Sequence, residues 1–177
     1  MAPDRRLTGE EDLLVWLHDD ATAAKVVSDL TELEPLAAVA VVVLAVLLVL
    51  RRWADMLFFT AGVGVVWAVN PLLKELVGRS RPDLWPLPPE VSEYSFPSGH
   101  AANTAALAGA VALILRRRFW AALGAGLLLV VGLSQLVLGR HYPSDILAGW
   151  CWALAWVSIL RHLLRNMPRN VTKGGPG

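Results

Sequence analysis

The chain has 177 residues, 55% of them hydrophobic and 18% charged, with a mean hydropathy of +0.50; that leaves room for one domain and excludes the balance of an ordinary soluble protein. A formal net charge of +1 provides no basic stripe to neutralise a phosphate backbone, so nucleic acid is excluded as a partner. The single Cys151 can close no internal disulfide and has no Cys or His neighbour at metal-ligand spacing, so it is expected as a buried small residue.

At the N-terminus Asp4, Glu10, Glu11, Asp12, Asp19 and Asp20 interrupt any apolar run, so no cleaved signal is expected and the start reads as mature protein. Thr8 and Glu11 form a capping-box pattern, and Leu13, Trp16, Leu17, Ala24, Val27 and Leu30 lie at roughly helical spacing. An amphipathic helix here can lie on the bilayer surface or pack against a bundle. From Pro35 onward apolar blocks cover residues 36–50, 54–73, 101–115, 119–138 and 146–164. About 20 apolar residues cross a hydrocarbon core of about 30 Å, so the second, fourth and fifth blocks qualify by length. The first and third are short, and Arg51 and Arg52 or Arg116 to Arg118 can snorkel at their ends; Trp53 and Trp120 then fall at the headgroup level.

The expected fold class is all-α: a multi-pass transmembrane helical bundle of about five spans plus the N-terminal amphipathic helix. The expected organisation is an interfacial segment over residues 1–34, a membrane-embedded domain over 35–167 and a disordered Gly/Pro-rich tail over 168–177. No repeat of fixed period is visible. Pro82, Pro86, Pro88, Pro89 and Pro97 make the stretch between the second and third spans an extended, semi-rigid loop.

Five alternating spans place Arg51, Arg52, Arg116, Arg117, Arg118, Arg161, Arg165, Arg169 and Lys173 on one side. The other side receives the acidic N-terminus and the polar segments 74–100 and 139–145. The positive-inside rule makes the arginine side and the C-terminus cytoplasmic, so both polar segments face outward at a cell membrane. They hold three clusters: Lys74, Arg79 and Arg81; Ser98, Gly99 and His100; Arg140, His141 and Asp145. Cations, helix-start N–H groups, two histidines and a carboxylate are what phosphoryl transfer uses, with charge neutralised at the phosphoryl oxygens and one group each for attack and leaving-group protonation. Lys74 and Arg81 are about two helical turns apart if the helix persists, although Gly78 and Pro82 signal its end. Ser98 and His100 stand where a helix begins, a position that favours anions. His141 and Asp145 are i and i+4, so the carboxylate can accept from one ring nitrogen and leave the other basic. Taken singly, the cations read as snorkelling anchors, the histidines as structural and Asp145 as a helix-start acid; their coincidence on one side favours a site. His18 and His162 receive no role, and the Asn170-Val171-Thr172 pattern is read as chance.

Lys74 with Arg81-Pro82, Pro-Ser-Gly-His at 97–100, and Ser134 through His141 to Asp145 resemble, in order and spacing, the signature of the type 2 phosphatidic acid phosphatase superfamily. The resemblance covers about residues 70–150. It implies a metal-independent lipid phosphatase without cofactor, in which His141 forms a phosphohistidine, Asp145 orients it and His100 protonates the leaving group. It also implies that Lys74, Arg81, Ser98 and Gly99 hold the phosphate. The family's Ser-Arg pair reads Ser134-Gln135 here; Gln135 can donate hydrogen bonds but carries no charge, and Arg140 or Arg79 is left to supply it, with Arg140 the nearer to His141. The implied partners are a lipid phosphate and the bilayer, with no obligate protein partner. Substrates in view are polyprenyl pyrophosphate, phosphatidylglycerol phosphate and phosphatidic acid. Two alternatives are a lipid phosphotransferase and a catalytically impaired phospholipid-binding or translocating protein marked by Gln135.

Overall fold

The computed structural model describes residues 10, 13–15, 21–86 and 92–166. The Thr8/Glu11 capping pattern, His18, the tail and the Asn170 pattern lie outside them. Among the described residues the named helices are, in order, α1 (Ala21–Leu30), α2 (Leu33–Val49), α3 (Trp53–Val77), α4 (Gly99–Leu115), α5 (Arg118–Val137) and α6 (Pro143–Asn166). Helices α3, α5 and α6 are long and apolar enough to cross a membrane, α1 and α2 pass together as a pair bent by 46°, and α4 is a shorter apolar helix. The short third block is explained by where it sits. Helix α4 is central, packed by α3, α5 and α6, and Ala101, Ala102, Ala105, Ala106 and Ala110 are fully buried along it. Alanine at these positions lets the neighbouring backbones approach closely, as small residues do between membrane helices.

The outer surface is apolar. Val41, Val49, Leu57, Leu76 and Phe119 are among many large hydrophobic side chains that point outward, as a hydrocarbon solvent requires. Cys151 belongs to this surface: it is exposed on α6, not buried as its residue type suggests for a soluble core. A thiol behaves as a small hydrophobe, so in this bundle outward is also an apolar location.

Of the two dispositions open to the N-terminal segment, α1 packs against α5, with Ala24 and Ser28 buried. The end signals of α3 act as expected: the helix stops at Val77, and Gly78 takes φ 62° while its N–H closes on the Lys74 carbonyl, a left-handed cap that glycine adopts without a Cβ penalty. At the start of α6, a Cβ on Gly149 would stand 2.9 Å from the Ser98 carbonyl oxygen and 3.1 Å from the Ala102 nitrogen. Glycine therefore permits α6 to lie directly on the first turn of α4, which brings the second and third polar clusters together.

Candidate phosphate site

At one end of the bundle a cavity of about 530 Å³ is lined by Lys74, Arg81, Gly99, His100, Gln135, Arg140 and His141, together with Lys25, Thr31, Glu32, Leu33, Ser92 and Asn103. Seven of the residues singled out from sequence thus share one wall. Ser98 and Asp145 lie behind it, both fully buried. Ser98 is the N-cap of α4, its hydroxyl accepting from the Ala101 N–H at 3.4 Å, and its own N–H donates to the Asp145 carbonyl at 3.0 Å. This capping leaves the first turn of α4, with Gly99 in the lining, facing the cavity.

The cations are held by backbone oxygens. Lys74 Nζ donates to the Tyr94 carbonyl at 2.7 Å. Arg81 Nε donates to the Ser92 carbonyl at 2.6 Å and its Nη1 to the Arg140 carbonyl at 2.6 Å. The loop carrying Arg81 is fastened to itself where Ser95 N donates to the Arg79 carbonyl at 2.8 Å and Ser95 Oγ to the Arg79 and Ser80 carbonyls. Among the described residues no carboxylate stands within ion-pair distance of Lys74, Arg81 or Arg140. Burial pushes the Arg81 guanidinium down to about 10, still fully charged at neutral pH.

His141 is 2% exposed. Its Nε2 lies 3.2 Å from Arg81 Nη1; arginine only donates, so Nε2 is the acceptor and the ring proton sits on Nδ1. Nδ1 is 3.4 Å from Asp145 Oδ2, an ion-pair separation that falls short of hydrogen-bond geometry and leaves Nδ1 without a partner in this state. Burial, assisted by Arg81 and Lys74 and opposed by Asp145, pushes the imidazole down to about 3, so the ring is neutral at physiological pH. Asp145 itself is fixed by Arg79 Nη1 at 2.7 Å on Oδ1 and by the Tyr142 N–H at 2.9 Å on Oδ2.

Two residues raised as sources of the missing charge separate here. Arg79 is committed behind the site: besides Asp145 it donates to Ser144 Oγ at 2.7 Å and Glu10 Oε2 at 3.0 Å and covers the Tyr142 ring at 4.0 Å. Arg140 lines the cavity and donates to Ser28 Oγ at 3.0 Å.

Sequence reasoning missed Glu10, Ser28 and Asn70. Glu10 accepts from the Ser144 N–H at 3.1 Å and hydroxyl at 2.8 Å; burial alone would raise its carboxyl, but these bonds and Arg79 outweigh it and hold it below the usual range. Ser28 touches His100, Gln135 and Arg140. Asn70, buried on α3, lies 3.6 Å from where a Cβ on Gly99 would be, and a polar residue inside an apolar span is a readable signal. Among the described residues no three His, Cys, Asp or Glu side chains group as a metal site.

An all-helical bundle with apolar spans and a cationic, histidine-bearing cavity at one end defines an integral-membrane protein. The family comparison agrees: a model described as the PAP2 superfamily matches residues 52–169, and the chain belongs to that superfamily. It is 39% identical over 102 residues to the decaprenylphosphoryl-5-phosphoribose phosphatase of Mycobacterium tuberculosis, covering 56% of this chain and 55% of that protein. It is 34% identical over 113 residues to phosphatidylglycerophosphatase B of Bacillus subtilis, covering 59% and 55%. A lipid A 1-phosphatase of Rhizobium etli is 33% identical over 117 residues, covering 61% and 49%. The chain therefore spans about half the length of the curated relatives it matches. The fold is shared with the crystal structure of a transmembrane PAP2 type phosphatidylglycerolphosphate phosphatase from Bacillus subtilis, at a TM-score of 0.80 and 23% identity over 91% of this chain and 87% of that one.

Proposed function

We propose that the chain is a membrane phosphatase that hydrolyses a phosphomonoester or pyrophosphate on a lipid, through a phosphohistidine at His141 and without a metal. The observation that carries this reading is the cluster of cations: Lys74, Arg81 and Arg140 face one cavity and, among the described residues, no carboxylate lies within ion-pair distance of them, beside a neutral imidazole whose Nε2 carries the lone pair. Preorganised cations of this kind stabilise the charge that develops on phosphoryl oxygens. The relatives named above, each a phosphatase of a lipid or polyprenyl phosphate by name, support the same substrate class.

In this reading His141 Nε2 forms a bond to phosphorus while the bond to the lipid-side oxygen breaks, and His100 donates a proton to that oxygen. Water then attacks the phosphohistidine, releasing inorganic phosphate and restoring the imidazole. Asp145 faces Nδ1–H and stabilises the positive ring that forms. Lys74, Arg81, Arg140 and the first turn of α4 at Gly99 hold the phosphate; Arg140 supplies the charge that Gln135 lacks, and Ser98 acts through the helix start that it caps. The site faces outward and the C-terminus lies in the cytoplasm, as the arginine distribution indicates. Polyprenyl pyrophosphate, phosphatidylglycerol phosphate and phosphatidic acid form the test panel.

The experiment is phosphate release in detergent with EDTA present, comparing wild type with His141→Ala. Release that survives EDTA and vanishes in the variant is expected; no release from any panel lipid by folded protein would overturn the proposal.

A further inference from the structure

Behind the cavity lining stands a hydroxyl that no motif supplies. Ser28 is on α1, outside the family match at residues 52–169, and is fully buried. Three site groups meet at its Oγ: Arg140 Nη1 at 3.0 Å, Gln135 Nε2 at 3.1 Å and His100 Nε2 at 3.4 Å.

A serine hydroxyl offers two lone pairs and one hydrogen. Arginine and the amide nitrogen of glutamine only donate, so Arg140 and Gln135 fill both lone pairs. The Ser28 hydrogen is then directed at His100, whose Nε2 is the acceptor and carries no proton in this state. For His100 to act as an acid through Nε2 that nitrogen must be protonated, and Ser28 would then face three donors with two lone pairs. One donor must let go. Gln135 is buried and, among the described residues, has no other acceptor for its amide beyond a 3.5 Å contact to Ser134 Oγ, whereas Arg140 lines the cavity where a phosphoryl oxygen would arrive.

We propose that Ser28 is a positioning residue that couples phosphate capture by Arg140 to the arming of His100. When a phosphoryl oxygen draws Arg140 away, a lone pair on Ser28 becomes free to accept from a protonated Nε2. The proton comes from solvent, passes to the leaving oxygen as the phosphorus–oxygen bond breaks, and the Ser28 hydrogen turns back to the emptied Nε2. This role rests on the reading of His100 as the acid.

The test uses leaving groups. An alkoxide needs protonation and a nitrophenolate does not, so full-length Ser28→Ala in detergent is assayed on dioctanoyl phosphatidic acid and on p-nitrophenyl phosphate, beside His100→Ala. Ser28→Ala is expected to lose at least roughly tenfold in kcat on the lipid, the scale of one hydrogen bond to a charged group, and less than about threefold on the aryl ester; a purely structural loss would depress both equally. If His100→Ala shows the split and Ser28→Ala does not, the Ser28 role is overturned and the phosphatase reading stands. If His100→Ala depresses both substrates alike, the acid assignment fails and takes the coupling with it. Wild type that hydrolyses neither these substrates nor any other lipid of the panel overturns both.

Discussion

The two ends of the bundle carry similar residues in opposite arrangements. At the end away from the cavity, Asp55 lies between two guanidinium groups, with Arg161 donating to Oδ1 at 2.8 Å and Arg52 Nε to Oδ2 at 2.8 Å, and Arg161 also covers the Phe58 ring at 4.8 Å. At the cavity end, Lys74, Arg81 and Arg140 donate to carbonyls and a hydroxyl, which orient a cation without cancelling its charge. Where a cluster is meant to hold helices together, the charge is neutralised within the protein. In the proposed reading, where a cluster is to hold an anion, backbone dipoles fix the side chains and the charge is kept for the ligand.

The largest effect that sharpens this contrast is on the imidazole the cations surround. His141→Ala is expected to reduce kcat on the order of 10⁴-fold or more, the scale of removing a nucleophile, measured by phosphate release. Next, Arg81→Ala is expected to weaken the affinity for inorganic phosphate by roughly 10²-fold, as loss of a charge-assisted clamp does; titration calorimetry in detergent reads it. Arg140→Ala is expected to follow in the same direction, and unaltered phosphate affinity and activity there would break the assignment of the missing charge to Arg140. At the opposite end, Asp55→Ala leaves two arginines facing each other without their carboxylate. It is expected to cost about 1 to 3 kcal/mol of stability and to leave kcat/KM unchanged, so a loss of activity without a fall in Tm would erase the distinction between the two ends.

A further effect is on pH dependence. The His141 imidazole is held at about 3 in the folded protein against about 6.5 in an unfolded chain. Between those values the unfolded state binds the extra proton, so this group's contribution falls as pH is lowered from about 6.5 towards about 3 and is fully present above that window. Tm is expected to decline over this range, and His141→Phe to flatten part of the decline.

Much of this arrangement was legible in the sequence because span ends are legible. Arginines after residues 50 and 115 and polar segments after residues 73 and 138 sort by side through alternation alone, and that sorting already puts Lys74, His100 and His141 at one end. Alternation does not say which cation is spent inside the protein. Arg79 and Arg140 looked equivalent on that basis, and only the contacts of Arg79 with Glu10, Ser144 and Asp145 separate them. The N-terminal segment was illegible for a related reason: helical spacing of Ala24 and Val27 reports an amphipathic face, but not that Ser28, one position on, points at Gln135 and Arg140 across more than a hundred residues of chain. Cys151 was misplaced because burial preferences learned from water do not order the residues of a surface bathed in hydrocarbon.

Under the proposed function, the contact between Arg81 Nη1 and His141 Nε2 has a chemical meaning. The lone pair that would attack phosphorus is capped by the cation that would bind the phosphate, so the resting imidazole is a masked nucleophile. An electrophile with no negative charge has nothing with which to displace the guanidinium and meets a protected nitrogen. In the proposed reaction a phosphorylated ligand would unmask it by claiming Arg81 for itself, which would make selectivity for anions a property of the nucleophile as well as of the cavity around it.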